Sequence, residues 1–160
     1  MLNFDQHGFL YPHSGQSTDT ANFYSQFVAN FPTSRTRATL YHEWTKYNQL
    51  LRKEVGDSFE QWINGSFVTS KLNPKDIDVV SFIPAHLYER HEGVLDKFWS
   101  DTWEDEGVDA YIVRVYPPDD ARFISATQID YQQWARRYSS TKPDMNFVSH
   151  PKGFLTMQIS

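Results

Sequence analysis

Trp62-Ile63-Asn64-Gly65-Ser66, then nine residues, then Asp76-Ile77-Asp78-Val79-Val80: this stretch decides the fold. Phe59, Trp62 and Ile63 predict a short strand that runs into Asn64-Gly65-Ser66. The turn-rich stretch Thr69 to Lys75, with Asn73-Pro74, separates it from a second strand, Asp76 to Ile83. Side chains alternate along a strand, so Asp76 and Asp78 are expected on one face, their Cα atoms about 6.6 Å apart. Ile77 and Val79 then point into the core. Two carboxylates held that close repel, which invites a positive charge between them. A hard, oxygen-seeking ion such as Mg²⁺, or Mn²⁺ in its place, suits them. Gly65 lets a phosphate approach the backbone, and Ser66 adds a hydroxyl and an exposed N–H.

Outward from this centre the periodicity changes. On the N-terminal side, residues 1–17 are expected to form an extended arm with turns at His7-Gly8 and Tyr11-Pro12. Thr18 or Asp19 caps a helix to about Asn30, in which Phe23, Phe27 and Phe31 recur every fourth position. Pro32 breaks it and Ser34 caps the next. Arg35 to Val55 is the longest helical pattern, with Leu40, Trp44, Tyr47 and Leu51 on one stripe and Gly56 as the stop. On the C-terminal side, Pro84 ends the second strand and opens a helix through Leu87, Val94, Leu95, Phe98 and Trp99. Asp101 to Gly107 reads as an acidic loop. A third strand follows, Val108 to Tyr116, stopped by Pro117-Pro118. Thr127 caps a helix whose face carries Tyr131, Trp134, Ala135 and Tyr138. A closing strand is expected around Gly153 to Met157. Helices first, then strands alternating with helices, predict a single α+β domain over 1–160, a small mixed sheet flanked by helices. Asp109, at the start of the third strand, reaches the face of Asp76 and Asp78 if the two strands are neighbours. There it becomes a third metal ligand or a proton acceptor.

Composition narrows the classes. The chain has 160 residues, 39% hydrophobic, 16% aromatic and 22% charged, which is globular composition. The absence of cysteine excludes a disulfide framework, a Cys-based zinc finger and thiol catalysis. The first ten residues carry no basic cluster before an apolar run, and no window reaches the roughly 20 apolar residues of a spanning helix, so a cytoplasmic protein with no membrane partner is expected. The net charge of −5 argues against broad non-specific nucleic-acid binding but not against a local basic groove.

Other residues are weighed against plainer roles. Lys71 and Lys75 flank the Gly-Ser loop and could steer phosphate, or be solvated loop lysines; Lys71 is taken as a nucleotide-binding candidate. Arg35, Arg37, Arg52 and Lys53 are expected on a solvated face of the long helix. Arg136-Arg137, next to Trp134 and Tyr138, read as helix surface over an aromatic stripe, with a stacking and phosphate patch as the minority reading. Phe23, Phe27, Trp44, Trp62 and Trp99 are expected in the core. His86 and His91 are five apart and do not share a helical face, so the six histidines read as surface residues. Gly65 lacks the Lys-Ser/Thr ending of a Walker loop.

Gly65-Ser66, a short gap, Asp76-x-Asp78 on an apolar strand and a later strand acid, Asp109, resemble the polymerase-β-like nucleotidyltransferase superfamily. The chain looks like a small bacterial and phage group of nucleotidyltransferase-like proteins. The Phe4-Asp5-x-x-Gly8-Phe9-Leu10-x-Pro12 arm, Asn30-Phe31-Pro32 and Pro151-Lys152-Gly153-Phe154-Leu155 extend the likeness over most of the chain. The resemblance implies a minimal nucleotidyltransferase fold. It implies catalytic metals on Asp76, Asp78 and Asp109, nucleotide phosphates on Gly65, Ser66 and Lys71, and a nucleoside triphosphate as donor. The expected activity is Mg²⁺-dependent transfer of a nucleoside monophosphate to a hydroxyl of a protein, an RNA or a small molecule. Larger members carry a further helical domain, and here only the short segment after Tyr116 is expected to be available for its role. The alternative expectation is therefore a weak or inactive, antitoxin-like or regulatory partner that keeps the fold and acts by binding another protein.

Overall fold

The computed structural model describes residues 2–160. A five-stranded mixed sheet is its frame, in the order β3-β7-β4-β5-β6. The strands are β3 (Gly15–Ser17), β4 (Phe59–Asn64), β5 (Ile77–Pro84), β6 (Val108–Val115) and β7 (Phe154–Ile159). β4 pairs antiparallel with both β5 and β7, whereas β5 pairs parallel with β6, and β3 with β7. Two short strands of the arm, β1 (Asn3–Phe4) and β2 (Leu10–Tyr11), form a separate antiparallel pair. The expected α+β class, a small mixed sheet flanked by helices, is what the chain adopts.

Each face of the sheet has its own cover. Alternation sends Ile63, Ile77, Val79, Val108, Ala110 and Leu155 to one face. Onto it pack α1 (Thr20–Tyr24), α2 (Arg37–Val55) and α3 (Ala85–Leu95), through residues such as Phe23, Trp44, Leu51 and Leu87. Trp62, Val80, Phe82, Tyr111 and Phe154 go to the other face, under the single helix α5 (Gln128–Tyr138). Tyr131 of α5 stacks on Phe82 with ring centroids 4.4 Å apart, and Trp134 lies 5.1 Å from Tyr111.

A buried polar contact ties the first layer together. Gln61 accepts from Trp44 Nε1 and Asn48 Nδ2, and donates to Asn48 Oδ1 and Ser81 Oγ, so all its hydrogen-bonding capacity on that face is used. The caps follow the sequence: Asp19 accepts from Asn22 N at the start of α1, Ser34 Oγ accepts from Arg37 N, and Gly56 ends α2 in the left-handed conformation.

Several boundaries differ from expectation. α1 continues into a π-helical turn, Ser25–Ala29, and α2 begins two residues late, at Arg37. The acidic loop is instead a run of helical turns, α4 (Ser100–Trp103) and Glu104–Glu106, pinned because Trp103 Nε1 donates to the carbonyl of Lys97. α5 is entered through a π turn, Phe123–Thr127, so Thr127 is inside the helical run. Its buried hydroxyl accepts from Tyr116 N instead of capping.

The largest correction is Arg37. It is not on a solvated face but has 0% of its surface exposed. Its guanidinium donates to the carbonyls of Phe27, Phe67, Thr69 and Lys71 and lies 3.8 Å from the Phe31 ring centroid. Burial pushes its pKa down to about 10, so it keeps its charge at neutral pH. Among the described residues, no helix is long and apolar enough to cross a membrane.

Candidate functional site

Register places the acids. Asn64 pairs with Asp78 across β4–β5, and Asp78 pairs with Asp109 across β5–β6. In-register neighbours share a face and sit about 4.8 Å apart. Asn64, Asp78 and Asp109 therefore form one polar row at the end of the sheet, on the α5 face, with Trp62, Val80 and Tyr111 as the next row. Asp76 falls one residue ahead of β5, which starts at Ile77 rather than at Asp76. It is exposed and stands at the lip of the cleft. Among the described residues, no three His, Cys, Asp or Glu side chains form a preassembled metal cage. The expected trio is thus an in-register pair, Asp78 and Asp109, with Asp76 as an outer third.

Gly65 is built into this row. Its φ of +81° and ψ of −170° lie in a region that is essentially glycine-only. A Cβ there would stand 2.5 Å from Oδ2 of Asp78. The backbone of the Gly-Ser turn is thereby pressed against the central carboxylate, and Ser66 opens the 3₁₀ turn Ser66–Val68. Arg37 holds this turn from behind by three of its carbonyls, Phe67, Thr69 and Lys71. The N-terminal arm holds it from the side, through Ser70 N to Gly8 O at 2.9 Å.

The result is a cleft of about 540 Å³ that brings Gly65, Ser66, Lys71, Asp76, Asp78 and Asp109 together, so every predicted site residue lines it. Thr141, Lys142 and Lys152 close the opposite wall, and His7 joins from the arm. The His7 ring lies 5.1 Å from that of His150, so the two chain ends meet beside the cleft.

The electrostatics follow from this crowding. Burial, then repulsion from Asp76 and Asp109, pushes the Asp78 carboxyl up to about 6, and Lys152 and Lys142 oppose the shift. Burial also pushes the Lys152 ammonium down, against the attraction of Asp78. Tyr138, at the end of α5, is pushed well up by burial and by Asp78, so its phenol stays protonated.

A smaller cleft of about 290 Å³ opens on the α5 side of the same row. It shares Asp78, Asp109, Thr141, Lys142 and Lys152 with the first and adds, among others, Tyr111, Arg136 and Arg137. The separate groove near Leu50, Val94, Phe98 and Trp103 contains none of the predicted site residues. Sequence reasoning missed Asn64, Tyr138, Lys142 and Lys152 as site residues. Only the Pro151-Lys152-Gly153 motif hinted at the last, and no spacing rule could have brought β7 next to β4.

A family model matches residues 2–158, and its description is "Family of unknown function (DUF6932)". No curated protein and no solved structure matches the chain.

Proposed function

Since the chain belongs to the DUF6932 family, whose description names no activity, we propose from the site itself that it is a Mg²⁺-dependent nucleotidyltransferase. The observation that carries this reading is the polar row of Asp78 and Asp109, in register on parallel strands, with Gly65 packed against the Asp78 carboxylate in a cleft that also carries Lys71, Lys142 and Lys152.

The donor set suits a hard divalent ion: burial first, and then repulsion from Asp76 and Asp109, raise Asp78, and a cation among the carboxylates relieves that repulsion. Asp78 and Asp109 would hold it, with Asp76 at the lip, and it would supply charge neutralisation for a triphosphate. The chain's own groups do the rest. The Gly65-Ser66 turn offers a close approach for phosphate oxygens and a hydroxyl donor. Lys71, Lys142 and Lys152 balance the remaining negative charge and hold the triphosphate across the cleft. The acceptor hydroxyl oxygen forms a bond to the α-phosphorus. The bond from that phosphorus to the α–β bridging oxygen breaks, and pyrophosphate leaves. The hydroxyl proton passes to the Asp109 carboxylate and on to solvent.

The test is incubation with each labelled nucleoside triphosphate, Mg²⁺ and candidate acceptors. The wild-type chain is expected to release pyrophosphate and transfer label. Asp78→Asn/Asp109→Asn should lower that rate by at least about 10²-fold. No release with any triphosphate, or equal rates in wild type and variant, rejects the proposal.

One observation favours a second reading, a binding partner without turnover. Met145 and Phe147, 97% and 91% exposed, present apolar surface on a loop after Lys142 that is closed by the hydrogen bonds from Phe147 N to Asp144 O and from Asp144 N to Val148 O. A protein that binds wild type and the double acid variant equally, and loses affinity on Met145→Ser/Phe147→Ser, would support this reading.

A further inference from the structure

The α5-side cleft shares its acids and Lys142 and Lys152 with the triphosphate cleft, and adds Asn64, Tyr111, Arg136, Arg137 and Tyr138, which a triphosphate lying across the Gly-Ser turn does not use. Its chemistry is distinctive. Arg136, Arg137, Lys142 and Lys152 line it against only Asp78 and Asp109, a cationic wall on a chain of net charge −5. Arg137 is already positioned: its guanidinium carbon lies 5.0 Å from the Tyr111 ring centroid and 4.8 Å from that of Trp134. Stacking fixes the guanidinium plane and leaves its N–H edge for an anion.

Two buried polar atoms in the same cleft lack a partner among the described residues. Asn64 Oδ1 and the Tyr138 hydroxyl belong to residues that are each 3% exposed. Buried polar groups are paired in most proteins, so orphans beside a cleft mark where a ligand supplies the partner. One is an acceptor and the other can donate, and a hydroxyl needs both. At about 290 Å³ the cleft is at the small end of ligand pockets, roughly 300–1,000 Å³. That is room for one monomer unit.

We infer that this cleft is the acceptor seat of the transfer reaction and that it takes a phosphorylated alcohol. Arg136 and Arg137 hold the phosphate, and Asn64 and Tyr138 hold a sugar-type hydroxyl next to Asp109. The inference rests on the transferase reading above and specifies its substrate class. The hydroxyl oxygen is the atom that bonds to the α-phosphorus of the triphosphate, with pyrophosphate leaving. The phosphate on the acceptor takes no part beyond fixing its position. The same chemistry is offered by a free nucleoside monophosphate and by the end of a single strand.

The experiment is calorimetric titration of the full chain, with a saturating non-hydrolysable triphosphate and Mg²⁺ present, using AMP, adenosine and a five-residue oligoadenylate. AMP or the oligoadenylate is expected to bind at least tenfold more tightly than adenosine. Whichever of the two binds more tightly identifies the source. Arg136→Ala/Arg137→Ala, exposed positions on α5, should remove that advantage. Tyr138→Phe keeps the packed ring and should weaken binding severalfold at unchanged melting temperature. Equal binding of AMP, oligoadenylate and adenosine, or unchanged phosphate preference in the arginine variant, overturns the seat. The two proposals fail separately. Label transfer with binding indifferent to the arginines rejects the seat and keeps the transferase. Arginine-dependent binding without transfer to any acceptor rejects the transferase, and with it the acceptor role, and leaves a binding site for a phosphorylated alcohol.

Discussion

The Cα of Gly65 faces the carboxylate of Asp78 so closely that a methyl group there would meet Oδ2 at 2.5 Å and Cγ at 2.9 Å. Two effects therefore oppose Gly65→Ala, the glycine-only backbone and the collision. Gly56 gives a lower reference without the collision: its φ of +76° lies in the milder left-handed region, and nothing lies within 4 Å of the added carbon. Gly56→Ala should cost about 1 kcal/mol, the conformational part alone. Gly65→Ala should cost more than that and also abolish triphosphate binding, because the carboxylate must move. Urea unfolding of both variants, with nucleotide titration, checks the difference. Equal losses would mean that the carboxylate gives way freely.

Asp78 has a pH signature. Its carboxyl is raised from 3.8 to about 6 by burial and by Asp76 and Asp109. Between those values the folded state binds the proton and the unfolded state releases it, so this group's contribution to stability is full below about pH 4 and declines as pH rises through 6. Above pH 6 the cost is on the order of 3 kcal/mol. Asp78→Asn is therefore expected to melt higher than wild type at pH 8 in EDTA and at the same temperature at pH 4, while losing transfer. Mg²⁺ should raise the wild-type melting temperature at pH 8 and leave the variant nearly unmoved. A variant that melts lower than wild type at pH 8 would contradict the assignment.

Gln61 gives a test of the other layer. Its side chain satisfies Trp44 Nε1, both ends of Asn48 and Ser81 Oγ. Gln61→Leu conserves shape but leaves those groups without partners in a dry interior. The expected loss is about 2–4 kcal/mol, read as a fall in the urea midpoint at unchanged slope. Gln61→Glu should be at least as harmful at pH 8, since it buries a charge where a neutral amide stood.

The limits of sequence reading are visible in particular residues. β5 was legible because Ile77 and Val79 alternate with Asp76 and Asp78 ahead of an apolar run, β6 because a largely apolar run is stopped by Pro117-Pro118, and α2 because Leu40, Trp44, Tyr47 and Leu51 repeat at helical spacing. Gly65 at the end of one strand and Asp78 early in the next were legible, whereas the antiparallel pairing that presses them together comes from the structure. The parallel register that sets Asp109 opposite Asp78 was not, because α3 and the turns after it intervene and periodicity fixes no register across them. Lys152 reaches Asp78 only because β7 inserts between β3 and β4, a long-range pairing with no local mark. Arg37 was misread because a charged residue among helical positions counts as polar in any pattern. Its four carbonyl partners come from the first helical stretch, Phe27, and from the segment after the Gly-Ser turn, Phe67, Thr69 and Lys71, which the pattern does not bring to this helix.

Arg37 also supplies the sharpest test of how the Gly-Ser turn is held. The buried guanidinium is solvated by backbone alone, with carbonyls of Phe27, Phe67, Thr69 and Lys71 around it. Arg37→Leu fills part of the volume but strands those carbonyls, and a loss of about 3–5 kcal/mol is expected. Arg37→Lys keeps the charge but not the planar fork, so one ammonium cannot reach carbonyls spread over both sides of the guanidinium. The lysine variant should fold, melt lower than wild type, and bind triphosphate at least tenfold more weakly, with the Asp78-dependent pH profile of stability retained. That combination separates a disordered phosphate seat from a damaged carboxylate row. Native triphosphate affinity in Arg37→Lys would show that the turn keeps its shape without the fork, leaving the hydrogen bond from Ser70 N to Gly8 O to hold it.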